Sequence, residues 1–128
     1  MVAGERGQLR LDDLIDDEDD VALAAVTVAE LLVGVELASA AHRPRRQALV
    51  ESIVATIPIE DYDLDVARSH ALLLAHAQRS GRRWGAHDLV IAATAQARGR
   101  IVVTADRGGF ADLPGVSVRP VVGSAGER

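Results

Sequence analysis

The stretch Ala86-His87-Asp88-Leu89-Val90-Ile91-Ala92-Ala93-Thr94-Ala95-Gln96-Ala97-Arg98-Gly99-Arg100-Ile101-Val102-Val103-Thr104-Ala105-Asp106 decides the fold. Its first part is apolar and alanine-rich and is closed by Gly99, which predicts a helix over Ala86–Arg98. Ile101–Thr104 is a compact β-branched run, which predicts a buried strand. The same alternation occurs upstream. Val21–Val26 reads as a buried strand, and Thr27-Val28-Ala29-Glu30 has the form of a capping box that opens a helix through Leu31, Leu32, Val35 and Leu37. Pro44 suits the first turn of the next helix, with Leu49, Val50, Ile53 and Val54 as its buried stripe. Thr56–Ile59 predicts a short strand, placed at an edge by Pro58. Asp63 or Asp65 caps a further helix that runs to Ser80 and stops at Gly81. After a Gly108-Gly109 turn, Val116–Val122 supplies a last strand. At the start, Leu9, Leu11, Leu14 and Ile15 suggest a short amphipathic helix, followed by the acidic run Asp16–Asp20 as a solvated loop. With no internal repeat and no linker, the whole of 1–128 reads as one domain. Its expected architecture is α/β: a three-layer α/β/α sandwich around a central parallel sheet.

Composition narrows the chemistry. The 128 residues carry 14 basic and 19 acidic side chains, a net charge of −5, with 48% hydrophobic residues. That length and balance suit a single globular domain with a real core. There is no cysteine, which excludes disulfides, zinc-thiolate sites and a thiol nucleophile. Every basic residue is Arg, so phosphate-loop and Schiff-base lysines are excluded as well. Three aromatic residues, Tyr62, Trp84 and Phe110, are too few for a base-stacking sheet. The negative balance opposes simple electrostatic binding of nucleic acid, though a local basic patch remains open. No serine stands in a nucleophile-elbow context. The apolar run Ala86–Ala97 is interrupted by Asp88, so no membrane span is expected. The first residues lack the apolar core of a signal peptide, and a cytoplasmic protein is expected.

In an α/β unit the start of a helix and the end of a strand share one edge of the sheet. Glu30 follows the strand ending at Val26, Asp88 lies in the first turn of its helix, and Asp106 lies just past Ile101–Thr104. From Asp88 the helix descends about 15 Å to Arg98. The chain then climbs about 17 Å back to Asp106, so the two acids arrive at similar height. All three face the crevice beyond the strand ends, where open α/β sheets bind ligands. Three convergent carboxylates repel one another unless a cation neutralises them. Hard oxygen ligands favour Mg²⁺ or Mn²⁺, and the matching chemistry is metal-assisted hydrolysis of a phosphodiester.

Each acid also has a plain structural reading: Glu30 as a capping-box partner, Asp88 as a first-turn residue, Asp106 as a turn former. Arg82 and Arg83, directly before the Asp88 helix, are either contacts for RNA phosphates or a solvated loop anchored by Trp84. His87 is read as a surface or packing residue, because neighbours on a helix point about 100° apart. His70 and His76 share no metal-binding face and are read as structural. The apolar stripes at Leu31–Leu37 and Leu72–Leu74 serve either the core or an interface.

At Thr27-Val28-Ala29-Glu30-Leu31, at Ala86-His87-Asp88-Leu89-Val90-Ile91-Ala92-Ala93-Thr94 and at Val103-Thr104-Ala105-Asp106, the chain resembles PIN-domain proteins, and among them the VapC toxins of type II toxin–antitoxin pairs. The resemblance runs from about Asp20 to Val118. It implies a Mg²⁺- or Mn²⁺-dependent endoribonuclease, usually a homodimer, silenced by a VapB-type antitoxin. By motif, Glu30, Asp88 and Asp106 would be the metal-site and catalytic acids, and Thr104 would support the loop carrying Asp106. The family also opens with a short central strand ending in a metal-site Asp. Met1–Arg6 has no such strand, and Asp12 and Asp13 follow helix-like sequence. An N-terminally shortened domain is therefore expected, either active or reduced to an inactive module that binds an antitoxin.

Overall fold

A computed structural model describes residues 20–121. The amphipathic helix expected over Leu9–Ile15, most of the acidic run Asp16–Asp20, Asp12, Asp13 and Val122 lie outside the described residues. The element order is β1 (Leu23–Ala24), α1 (Ala25–Glu36), α2 (Arg43–Thr56), β2 (Ile59–Glu60), α3 (Leu64–Ser80), α4 (Ala86–Ala97), β3 (Val102–Thr104), a 3₁₀ turn (Arg107–Phe110) and β4 (Val118–Pro120).

The strands form two parallel pairs. β1 sets Leu23 against Ile59 of β2, and β3 sets Val102 against Val118 of β4. Successive strand residues point to opposite faces, and here the two faces bury different helices. Ala24 and Val102 join Val66 and Leu73 of α3 and Leu89, Ile91 and Ala92 of α4. Their neighbours Leu23 and Val103 join Ile53 of α2, with Val28 and Leu31 of α1 packed alongside. Strands between α3/α4 on one face and α1/α2 on the other make the three layers expected from the alternation.

The start of α1 corrects the capping-box reading. The strand is two residues long, not six, and the helix begins at Ala25 with Ala24 at its cap and no side-chain bond there. Thr27 lies inside the first turn, buried, and its Oγ1 has no hydrogen-bond partner. Glu30 consequently sits in the second turn. Magnitudes explain the outcome: a cap is worth about 1 kcal/mol, whereas burying a Val or Leu is worth about 1.5–3 kcal/mol. The early start lets Val26 pack on one core cluster and Val28 and Leu31 on the other.

In α2, Pro44 occupies the first turn, and Val50 and Ile53 are buried. Leu49 and Val54 of the expected stripe are exposed. α3 is capped by Asp63, whose Oδ1 accepts from Val66 N–H at 3.1 Å. It ends at Gly81, whose φ of 73° is the left-handed conformation that glycine adopts without strain.

Two acids and two arginines tie β2 and the start of α3 to the turn that follows α4. Arg98 Nε donates to Glu60 Oε1 at 2.9 Å and its Nη2 to Asp63 Oδ2 at 2.8 Å, while Arg100 Nε donates to Glu60 Oε2 at 3.0 Å. Arg100 Nη1 also reaches the backbone oxygen of Asp20. Burial alone would push the Glu60 carboxyl up, but hydrogen bonds and charge from Arg98 and Arg100 together hold it below its ordinary value. Asp63 is lowered too, first by the Val66 N–H and then by Arg98.

Two outcomes follow. Leu73 is fully buried, so Leu73→Ala should lower unfolding stability by about 2–5 kcal/mol in denaturant titration. A carboxyl depressed in the folded state contributes stability that is present above its unfolded value, 4.5 for Glu60, and is lost as pH falls through the lower folded value. Glu60→Gln should therefore destabilise the protein near neutrality and flatten the loss of Tm below about pH 4.5. An acid limb identical to that of the wild type would show that the Arg98–Glu60–Arg100 cluster contributes nothing.

Candidate active site

The site grows from two local turns. β3 ends at Thr104, a buried residue whose Oγ1 accepts from the backbone N–H of Asp106 at 3.0 Å. Asp106 then caps the 3₁₀ turn, its Oδ1 accepting from Gly109 N–H at 3.2 Å. Both ends of Asp106 are thus fixed, one by the strand and one by the turn. The second turn is the start of α4. Gly85 stands at its cap and Asp88 in its first turn, where unpaired helix N–H groups favour a negative charge.

These turns bring two carboxylates together. A Cβ built on Gly109 would lie 3.1 Å from Asp106 Oδ2 and 3.2 Å from Asp88 Oδ2. Both oxygens therefore border one small space, open because residue 109 has no side chain. Gly85 borders Asp88 as well, its own Cβ position being 3.1 Å from Asp88 Oδ2.

Glu30 arrives differently. Its Oε2 is 2.7 Å from His87 Nδ1, and Glu30, Gly85, Ala86, His87 and Asp88 line one cleft of about 350 Å³. Among the described residues no set of three or more acidic or histidine side chains is arranged as a metal cage. Asp88 and Asp106 nevertheless fit a hard cation of the Mg²⁺ type, which is commonly held by one or two carboxylates and keeps several waters. Glu30 shares the cleft with Asp88 while bonded to His87.

Arg82 and Arg83 part company. Arg82 Nη1 is 2.6 Å from Asp112 Oδ2, its Nη2 donates to Gly108 O at 3.3 Å, and its guanidinium lies 4.6 Å from the Trp84 ring centre. Trp84 Nε1 in turn donates to Ala111 O at 3.0 Å. The loop before α4 thereby braces the turn that carries Asp106. Arg83 is exposed and lines a neighbouring cleft of about 580 Å³ that also borders Gly85. His70 bonds the Tyr62 hydroxyl, and the His76 ring packs 5.5 Å from Trp84.

His87 is exposed, as a surface residue would be, but its bond to Glu30 and the closeness of Gly85 and Gly109 to the carboxylates were not foreseen from the sequence. His87 and Asp88 point about 100° apart on α4, but Glu30 comes from α1 and stands where His87 points. For Gly109 the available signal was a glycine three positions after an acid, which is ordinary in turns; only the approach of Asp88 gives it meaning.

A family model of the PIN domain matches residues 1–116. Ribonuclease VapC5 of Mycobacterium tuberculosis is 41% identical over 119 residues, covering 91% of this chain and 84% of that protein. Toxin FitB of Neisseria gonorrhoeae is 36% identical over 110 residues, 83% of this chain and 78% of FitB. Among solved structures, VapBC-5 from Mycobacterium tuberculosis superposes with a TM-score of 0.68 at 41% identity, covering 80% of this chain and 81% of that one. A DNA-bound VapBC from Salmonella typhimurium gives a TM-score of 0.73 at 30% identity, covering 77% and 74%. Motifs, layered fold and relatives agree: the chain belongs to the PIN-domain family, within its VapC group.

Proposed function

We propose that this chain is the toxin of a VapBC-type toxin–antitoxin pair, an endoribonuclease that hydrolyses RNA phosphodiester bonds with the help of Mg²⁺ or Mn²⁺. The observation that carries this reading is the approach of Asp88 and Asp106 to the one space beside Gly109, on a fold shared with proteins named as VapC ribonucleases. PIN-domain ribonucleases are in general dependent on divalent metal ions.

Asp88 and Asp106 would hold the ion, and Glu30 would complete the acidic set. When bound, such an ion supplies positive charge at the phosphate and makes water more acidic. The chain's own groups do the rest. Thr104 Oγ1 and the Gly109 N–H keep Asp106 from turning away. The α4 N-terminus offsets part of the charge on Asp88. His87 holds one oxygen of Glu30, which fixes that carboxylate at the cleft wall. Arg83 offers a cation to an RNA phosphate beside the site, whereas Arg82 is engaged in bracing the Asp106 turn. Positioning by phosphate contacts of this kind sets register and adds affinity.

The partners of this reading are RNA, a VapB-type antitoxin and a second copy of the chain. The solved relatives are VapBC and FitAB complexes, and exposed apolar side chains such as Leu37 and Leu72 leave surface for a protein to cover. No helix among the described residues is long and apolar enough to cross a membrane. An enzyme acting on cellular RNA would work in the cytoplasm. One observation favours a second reading, an inactive module that binds an antitoxin: only two of the three acids border the same small space.

Incubation of the purified chain with transfer and ribosomal RNA, with Mn²⁺ or with EDTA, separates the two. Discrete cleavage is expected with Mn²⁺ alone. Asp88→Asn and Asp106→Asn should each lower it at least about 100-fold, since even outer-shell partners of a metal site are worth roughly 10–100-fold. A folded wild type that cuts nothing with metal would leave the binding module as the answer.

A further inference from the structure

We propose that the bare Cα of Gly109 is a working part of the site: it keeps open the space between Asp88 and Asp106 that a divalent cation occupies. This rests on the metal-dependent reading and adds to it a positioning residue that contributes no ligand atom.

Glycine is not required at 109 by the backbone. The positive-φ glycines of the described chain are Gly81, Gly99 and Gly115, and Gly109 is not among them. Its bond to Asp106 uses only the backbone N–H, which any residue except proline retains. A larger residue would take away only space. A Cβ there would stand 3.1 Å from Asp106 Oδ2, 3.4 Å from Asp106 Cγ and 3.2 Å from Asp88 Oδ2. Contacts that short oblige a neighbour to give way.

Neither neighbour gives way freely. Asp106 is fastened by Thr104 Oγ1 and by the Gly109 N–H itself. Asp88 rides on the first turn of α4, anchored by the buried Leu89, so only its carboxylate can turn, and turning takes it out of the space it shares with Asp106. An alanine methyl at 109 would thus fill the space from which both oxygens can reach one ion. The adjacent Gly108 provides the contrast. Its Cβ would meet only Asp106 Oδ1, at 3.6 Å, which is ordinary van der Waals contact.

The test measures Mn²⁺ binding to the whole chain without RNA, by calorimetry and by the Mn²⁺-dependent rise in Tm. Gly109→Ala should weaken binding at least about tenfold, within the range known for residues that orient metal ligands, and abolish the Tm rise. Its metal-free Tm should fall by only roughly a few degrees, because the backbone at 109 accepts alanine and the crowding falls on the two carboxylates. Gly108→Ala should bind as the wild type does. Gly85→Ala, whose methyl crowds Asp88 but not Asp106, should also weaken binding, and it carries the test if Gly109→Ala fails to fold. Wild-type affinity in Gly109→Ala, equal losses in Gly108→Ala, or no Mn²⁺ binding by the wild type would each overturn the proposal. If the wild type binds Mn²⁺ but cuts no RNA, the nuclease reading fails and the space beside Gly109 stands. If RNA is cut normally while Gly109→Ala binds Mn²⁺ normally, only the role of Gly109 falls.

Discussion

Everything at this site depends on holding two like charges against one space. Carboxylates that face each other repel, and the penalty grows as water is excluded from between them. The chain meets part of that penalty with rigid backbone. Asp106 is clasped between a strand residue, Thr104, and the Gly109 N–H of a 3₁₀ turn. Asp88 is carried on the first turn of a helix whose inner face is buried from Leu89 to Ala95. Neither acid can relax the repulsion by swinging its element, because each element is anchored in the core immediately behind it.

The supports of the site form one connected body. Arg82 reaches across to Asp112 and Gly108, and Trp84 to Ala111, so the loop before α4 and the turn after β3 are fastened at several points. Phe110 of that turn is buried in the same cluster as Leu73 of α3 and Leu89 of α4. Displacing Asp106 therefore means disturbing the packing of α3 against α4 as well as the local hydrogen bonds. A site with few ligands gains its precision from this coupling to the core.

Much of this was legible in the sequence, and the reasons differ by residue. Helix α4 and strand β3 declare themselves because an apolar run closed by Gly99 and a β-branched run leave little choice of period. Asp63 and Gly81 mark the ends of α3 because caps are local chemistry. The chemistry at Thr27–Glu30 misled for the opposite reason: a capping box is also local, but burial of α1 on the sheet outweighs it. Asp88 and Asp106 share an edge by topology, which spacing reveals. The contact between His87 and Glu30 was not legible, since it joins residues from α1 and α4 whose relative angle is set only when both helices have packed.

The use of arginine alone among basic residues acquires meaning in this setting. Arg98 serves Glu60, Asp63 and the backbone oxygen of Asp61 at once, and Arg82 serves a carboxylate, a carbonyl oxygen and an indole ring. A lysine ammonium is a compact point charge and cannot span acceptors so widely separated, nor stack on an aromatic face as a planar group does. The two arginines also work in places that differ in purpose. Around Glu60 the positive charges neutralise acids and close the fold. Beside Asp106, Arg82 spends its charge on Asp112, while Gly109 borders the Asp106 and Asp88 carboxylates and its N–H donates to Asp106. Had Arg82 bonded Asp106 instead of Asp112, it would stabilise the empty protein and compete with any cation for the same oxygens; by bracing the turn through Asp112 and Gly108 it holds Asp106 in place without taking up its carboxylate.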